Sequence, residues 1–349
     1  MRLFKQKEEF RKVLISWYLR EKRDLPWRRT SDPYHIWVSE VMLQQTRVET
    51  VISYFERFID KYPTVFDLAT ANEEELLKVW EGLGYYSRVR NLQSGVKEVA
   101  ANYGGIVPST RGEISKLKGV GPYTAGAVLS IAYNIPEHAV DGNVMRVLSR
   151  ILLIEDDIAQ PKNRKIFEEV VMELIDKEDP SSFNQGMMEL GALICTPKPK
   201  CLLCPVQQFC GAFHEGKQEE LPVKLKKVKK KIVPVFSFAL QNEKGEWLLM
   251  KRPETGLLAN MWEFPMIEME KNISAEQALY EKFGVKIKHL SPEIRFKHIF
   301  SHLTWEIQSF HGIINELPLK QFQFFSEEEV EALPMPVPVL KIWTELKSR

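Results

Sequence analysis

Cysteine is scarce in this chain. Four residues in 349 are cysteine, and all four fall within the sixteen positions from Cys195 to Cys210. A disulfide framework spread over the fold is therefore excluded. Long apolar runs are missing too. None reaches membrane-spanning length, and the opening MRLFKQKEEF lacks the apolar stretch of a signal peptide. A cytoplasmic location with no membrane partner is expected, and in a reducing compartment clustered cysteines are more often ligands than disulfides. Charge of one sign is lacking as well. The net value is +1, which by itself does not announce a nucleic-acid binder. No internal repeat or long low-complexity segment is present, and before residue 232 no alternating run is long enough for a sheet.

What is present begins with those cysteines. Cys195, Cys201, Cys204 and Cys210 stand in ICTPKPKCLLCPVQQFC with the spacing C-x5-C-x2-C-x5-C. One compact loop thus offers four soft ligands, a pattern suited to a metal or iron–sulfur centre. At 349 residues the chain is too long for one ordinary core, so two or three domains are expected. Charge is distributed unevenly. The balance is −2 over residues 1–220 and −3 over 232–349, and the segment 221–231 holds six lysines and no acid. That segment reads as a solvated linker able to touch phosphate.

Residues 6–210 read as helices joined by short loops. Phe10, Leu14, Trp17 and Tyr18 recur at helical spacing. Thr46 with Glu49, Asn72 with Glu75, and Thr110 with Glu113 read as helix-start pairs. Pro122 suits a first helical turn, and Asp141 is placed to cap DGNVMRVLSRILL. After residue 232 the pattern changes. VPVFSFAL, NEKG and EWLLMKR read as strand, turn and strand. SAEQALYEKFG reads as a helix started by Ser274 and Gln277 and stopped by Gly284. Residues 294–314 read as two strands with a turn, giving an α+β domain of ordinary size.

Within the helical part, LKGVGPYTAGA (117–127) implies a tight helix–hairpin–helix. Gly119 and Gly121 let backbone amides approach a ligand, and the helix that follows presents its positive end. A DNA phosphate is the natural occupant. Twenty residues on lies Asp141 in VDGN. The hairpin, VDGN and the four-cysteine loop closely resemble the helix–hairpin–helix DNA glycosylases that carry a [4Fe–4S] cluster. LPWR (25–28), SEVMLQQTRV (39–48), GLGYYSR (82–88) and FNQGMMELGA (183–192) resemble the adenine-specific branch, the MutY family, over nearly the whole chain.

The resemblance implies a multidomain fold. An all-α helix–hairpin–helix glycosylase domain (1–220, cluster loop 195–210) is joined by the lysine-rich linker (221–231) to an α+β Nudix-like, MutT-like domain (232–349). It implies removal of adenine mispaired with 8-oxoguanine or guanine in duplex DNA, by a DNA-associated bacterial enzyme acting as a monomer. Glu40 matches the general acid that protonates adenine at N7, and its neighbours Ile36, Trp37, Val38, Val41 and Met42 are apolar, which raises a carboxyl pKa. Asp141 matches the carboxylate that stabilises the oxocarbenium ion, with a helix N-terminus favouring its ionised form. Tyr123 stands where lyase-active relatives such as endonuclease III carry a Schiff-base lysine, so a monofunctional glycosylase is expected. In the family this tyrosine supports the catalytic aspartate. Asn143 and Gln185 match further active-site groups, Arg28 matches a substrate-contacting position, and Gln45 and Tyr85 match residues inserted into the duplex during base flipping. Phe300, Ser301 and His302 match the loop that reads 8-oxoguanine. The four cysteines match the ligands of the [4Fe–4S] cluster.

Two departures stand out. The first cysteine interval is five residues where the family usually has six, and Met145 occupies a place where some members carry lysine. The C-terminal domain resembles the Nudix fold through WEFP (262–265) and ALYEKFGV (278–285). Its helix, however, holds Gln277, Ala278, Glu281 and Lys282 where metal-dependent hydrolysis needs an arginine and three glutamates, so that hydrolysis is not expected. The competing readings are a thymine- or pyrimidine-specific glycosylase on the same scaffold, a redox iron–sulfur protein, and a catalytically silent DNA-binding module. The C-terminal domain argues against the first. The paired carboxylates and the hairpin argue against the second, and Glu40 with Asp141 argues against the third.

Overall fold

Capping chemistry sets where the helices begin. The computed structural model describes residues 6–225, 230–269, 273–287, 289–314, 319 and 321–348. Three of the six lysines of the 221–231 segment, Lys226, Lys227 and Lys229, lie outside the described residues. The helices are α1 (Lys7–Glu21), α2 (Pro33–Leu43), α3 (Val48–Lys61), α4 (Val65–Thr70), α5 (Glu73–Val79), α6 (Ser87–Asn102), α7 (Arg111–Ile114), α8 (Pro122–Tyr133), α9 (Gly142–Leu152), α10 (Arg164–Leu174), α11 (Pro180–Leu193) and α12 (Gly211–His214). Asn72 accepts from the amides of Glu74 and Glu75, and Thr110 from that of Glu113. Each such cap contributes about 1 kcal/mol. The Thr46 expectation fails, because α3 starts two residues later and Arg47, its N-cap, makes no side-chain capping bond. A hydrophobic pattern locates a helix better than its first residue.

The chain divides into two compact units, one made of Met1–Thr70 with Arg90–Lys226 and the other of Ala71–Val89 with Lys227–Arg349. In the first, α1, α9, α10 and α11 bury one core around Phe10, Leu14, Trp17, Val147, Phe167 and Phe183. α2 packs on α3 and α8. The hairpin before α8 turns through Gly119, at φ +80°, where a Cβ would meet Asn91 Cβ at 2.8 Å. Within α8, Gly126 lets the backbone of His138 approach so closely that a Cβ would lie 1.7 Å from its carbonyl oxygen. That approach brings the segment leading to Asp141 against the helix carrying Tyr123.

Among the described residues, the second unit is built on a seven-stranded sheet of β1 (Lys231–Gln241), β2 (Trp247–Lys251), β3 (Trp262–Glu263), β4 (Met266–Glu268), β5 (Ser291–Ile299), β6 (Leu303–Ile313) and β7 (Phe322–Phe325), with helices α13 (Ala275–Phe283), α14 (Glu327–Ala332) and α15 (Val337–Lys347). The order β3-β2-β1-β6-β5 runs through a parallel β1–β6 pair in register from Lys231↔Leu303 to Gln241↔Ile313. Alternation along β1 separates two cores. Val233, Val235 and Ala239 face the side of Val330, Val339 and Trp343, while Phe236, Phe238 and Leu240 face the side of α13. The expected α13 is present, with Ser274 accepting from the Gln277 amide and Gly284 at φ +71° closing it.

Candidate active site

α2 and α8 hold the first half of the site. Asp32 caps α2 through the amides of Tyr34 and His35, and the helix is buried on nearly every side, so Glu40 lies among apolar neighbours with 5 % exposure. An isolated carboxylate here would be costly. One partner is at hand, since Tyr123 Oη donates to Glu40 Oε2 at 2.6 Å. Burial raises the Glu40 pKa to about 7. The Tyr123 hydrogen bond and the charge of Arg28 oppose that rise, and the charge of Asp141 adds to it. Burial, together with Glu40 and Asp141, also holds the Tyr123 phenol well above its ordinary value.

Asp141 caps α9. Its Oδ1 accepts from the Val144 amide at 2.7 Å and its Oδ2 from Asn143 Nδ2 at 2.9 Å. The helix N-terminus alone would keep this carboxylate low, yet burial outweighs the bonds from Val144 and Asn143 and raises its pKa above the ordinary aspartate value. The Tyr123 hydroxyl hydrogen-bonds to Glu40 rather than to Asp141. Asn143 continues outward, because its Oδ1 accepts from Arg146 Nη2, and Arg146 Nε donates to the Cys195 carbonyl at 2.8 Å. A hydrogen-bonded chain thus runs from Asp141 to the first cysteine of the loop.

Glu40, Tyr123, Asp141 and Asn143 line one cavity of about 760 Å³ together with Arg28, Gln45, Gly119, Gly121 and Gln185. That volume suits a ligand of nucleobase-plus-sugar size. Gln45, exposed at the end of α2, has φ 62°. In the second unit Tyr85, 41 % exposed, has φ 48°. Non-glycine residues in the left-handed region carry strain, and such strain concentrates at functional positions. Gln185 Nε2 donates to Ser181 Oγ at 3.1 Å.

Among the residues of this cavity not singled out from sequence are Glu189, Arg23, Arg164 and Met188. Glu189 is 1 % exposed and takes paired bonds from both Arg23 and Arg28 at 2.8–3.1 Å. Burial would raise its pKa, but those bonds and the Arg28 charge win and lower it to about 2. Arg28 is therefore held in a buried ion pair as well as lining the cavity. Met188 meets the Tyr123 hydroxyl through its sulfur at 3.6 Å. Only the FNQGMMELGA segment as a whole pointed towards Met188 and Glu189.

The four thiols are free and face one second cavity, with Arg150 and apolar side chains of Val147, Ile151, Leu190 and Val206 in its wall. Among the described residues no group of three or more His, Cys, Asp or Glu is arranged to hold a metal ion. Burial raises Cys204 to about 12, and the three other thiols add to the rise. Arg150, itself 2 % exposed, donates to Cys195 Sγ at 3.3 Å and to the Thr196 carbonyl at 2.7 Å.

In the second unit, the 8-oxoguanine-loop candidates lie at the β5–β6 turn. Phe300 packs edge-on against His298 and Trp305, and exposed Ser301 and His302 contact each other at 3.3 Å between Oγ and Nδ1.

Residues 38–173 match the HhH-GPD superfamily of base excision DNA repair proteins, and residues 237–345 match the NUDIX domain. The chain is 33 % identical to an adenine DNA glycosylase of Buchnera aphidicola, with 97 % of each chain covered. It is 37 % identical to the Arabidopsis thaliana adenine DNA glycosylase over 87 % of this chain, and spans 57 % of that relative's length. Among solved structures, a thermostable thymine-DNA glycosylase aligns at TM-score 0.54 and 30 % identity over 60 % of this chain and 98 % of its own. Endonuclease III in a trapped covalent complex with DNA aligns at TM-score 0.52 and 27 % identity over 62 % and 99 %. No described helix is long and apolar enough to cross a membrane.

Proposed function

This chain belongs to the adenine DNA glycosylase family of base excision repair, and from that premise we propose that it excises adenine paired with 8-oxoguanine from duplex DNA without cutting the strand. The observation carrying this reading is the pairing of Glu40 and Asp141 on one cavity, with Glu40 at about pKa 7 and bonded to Tyr123. The adenine is flipped out of the stack into the cavity. Glu40, whose raised pKa of about 7 keeps a substantial protonated fraction near neutrality, gives its proton to N7 of the base as the glycosidic bond breaks. Asp141 faces the sugar, and positive charge developing there favours its ionised form, already supported by the Val144 amide and Asn143. Water then adds to the sugar carbon and gives up a proton, which restores the acid and completes the hydrolysis. Tyr123 offers no amine, so no imine with the sugar forms. Amides around Gly119 and Gly121 hold a phosphate. Gln45 and Tyr85 are each assigned to insertion into the duplex, offsetting lost stacking, and Ser301 and His302 to reading the opposing base.

Four thiols lining one cavity are the donor type that an iron–sulfur group takes. Cys195, Cys201, Cys204 and Cys210 would hold a [4Fe–4S] cluster, whose iron removes the cost of four clustered thiolates. Iron and acid-labile sulfide in the purified protein check this, and stoichiometric zinc in a fully active protein overturns it.

Single-turnover excision on duplexes with adenine opposite 8-oxoguanine, guanine and thymine, and with thymine opposite guanine, tests the whole reading. Fastest release of adenine opposite 8-oxoguanine is expected. Faster release of thymine would favour the pyrimidine-specific reading, to which the thymine-DNA glycosylase fold is the nearest support. In the full chain, Ser301→Ala with His302→Ala should reduce the preference for 8-oxoguanine over guanine about 10-fold or more. An unchanged preference removes these residues as readers.

A further inference from the structure

The segment Ala71–Val89 groups with the C-terminal sheet, although it lies amid the helical half of the sequence. The bonds responsible are specific. Glu74 Oε1 accepts from Lys251 Nζ at 2.7 Å and from Trp262 Nε1 at 3.1 Å. Glu73 accepts from Asn260 Nδ2 at 2.9 Å. Lys78 donates to the Leu333 carbonyl at 3.1 Å, and Glu81 accepts the Met335 amide at 2.9 Å.

From this contact, neighbouring residues lead in two directions. Trp80 Nε1 donates to the Gly84 carbonyl, and Arg88 Nη2 donates to the carbonyls of Leu83 and Gly84 while its guanidinium lies over the rings of Trp80 and Tyr85. Tyr85 is thereby held in its left-handed conformation. In the other direction, the residues next to Lys251 and Trp262 are Arg252 and Glu263, which form a paired ion bridge at 2.6–2.8 Å. Arg252 lies over Trp305, and Trp305 packs on Phe300 with ring centroids 4.9 Å apart.

We propose that α5 and the turn after it form a latch, with Glu74 as its positioning residue, that ties the Tyr85 loop to the Phe300–His302 turn so that reading the opposing base and inserting Tyr85 are coupled. The coupling deepens the proposed function and rests on its assignment of Ser301 and His302 as readers. Glu74 touches neither substrate nor the reacting groups. Its ion pair with Lys251 is about 40 % exposed on each side and adds little stability by itself. What it supplies is register, since one carboxylate oxygen takes both donors.

Two measurements on the full chain test the latch. In hydrogen exchange, Glu74→Ala should raise exchange together in residues 73–88 and 249–263, while the thermal midpoint changes little. In single-turnover excision it should cut the preference for 8-oxoguanine over guanine about 3- to 10-fold while leaving the rate opposite guanine close to wild type. Glu74→Gln, which keeps an acceptor for Trp262, should restore most of both. Added to the Ser301→Ala, His302→Ala variant, Glu74→Ala should lower the preference no further. Faster exchange confined to one of the two segments, or equal loss of rate on both duplexes, overturns the latch. If the Ser301, His302 variant itself keeps full preference, the reader assignment falls, and the exchange result alone then decides for or against the latch.

Discussion

Glu40 and Glu189 line the same cavity and are almost equally buried, yet one carboxyl is raised to about 7 and the other lowered to about 2. Burial pushes both upward. The difference lies in what burial is set against. Glu40 has one neutral phenol and a nearby acid, whereas Glu189 has two guanidiniums in paired geometry. The same residue type in the same cavity thus becomes a proton donor in one place and a permanent anion that fixes the arginines in the other. The largest expected effect concerns the donor. Glu40→Gln keeps the shape but carries no transferable proton, and should lower the excision rate about 1,000-fold with DNA affinity nearly unchanged. Turnover within a few fold of wild type removes Glu40 as the acid, and the identical change at Glu189 should not reproduce the selective loss.

Stability should separate the two carboxyls with opposite sign. Glu40 is raised in the folded state, so its contribution is fully present below the unfolded value near 4.3 and is lost as pH rises through about 7. Glutamine in its place should therefore stabilise the fold at pH 8, by on the order of 3 kcal/mol at most, with the gain vanishing near pH 4. Glu189 is depressed, so its contribution is present above about 4.3 and is lost as pH falls through about 2. Removing its charge leaves Arg23 and Arg28 facing a neutral group, and Glu189→Gln should destabilise by about 3 kcal/mol at neutral pH. Denaturant titrations of both variants at pH 4 and pH 8 read both signs. Equal signs would mean that partner chemistry does not distinguish the two sites.

The contrast also marks where the sequence was legible. Glu40 could be found because SEVMLQQTRV resembles the family's motif, with Ile36, Trp37, Val38, Val41 and Met42 apolar around the acid, and Asp141 because VDGN resembles another and its capping position is local. The cysteines and Gly119 could be found for the same reason, since spacing and turn chemistry are properties of short segments. Glu189 could not. In MMELGA it reads as an ordinary helix acid, and its partners lie 161 and 166 positions away. Segment 71–89 reads as another helix-start pattern, and only its bonds to Lys251, Trp262 and Met335 reveal that it packs with the sheet. α14 and α15 escaped the sequence reading, although Ser326 closes a full capping box with Glu329. The parallel β1–β6 pairing escaped it because register between distant strands is a tertiary property.

The smallest effect is also the finest probe of how Glu40 is tuned. Excision requires its protonated form, so the single-turnover rate should fall as pH rises through about 7. The Tyr123 hydroxyl donates to the ionised carboxylate and thereby opposes the rise that burial imposes. Tyr123→Phe removes that donor and keeps the ring, so it should move the alkaline limb of the profile to higher pH. At pH 8 the variant would then lose less of its low-pH rate than wild type does, even if its maximum is lower. Binding is controlled by working at saturating enzyme. A limb that stays in place, or moves to lower pH, would mean that the Tyr123 bond does not set the acidity of Glu40, and the difference from Glu189 would then rest on the arginines alone.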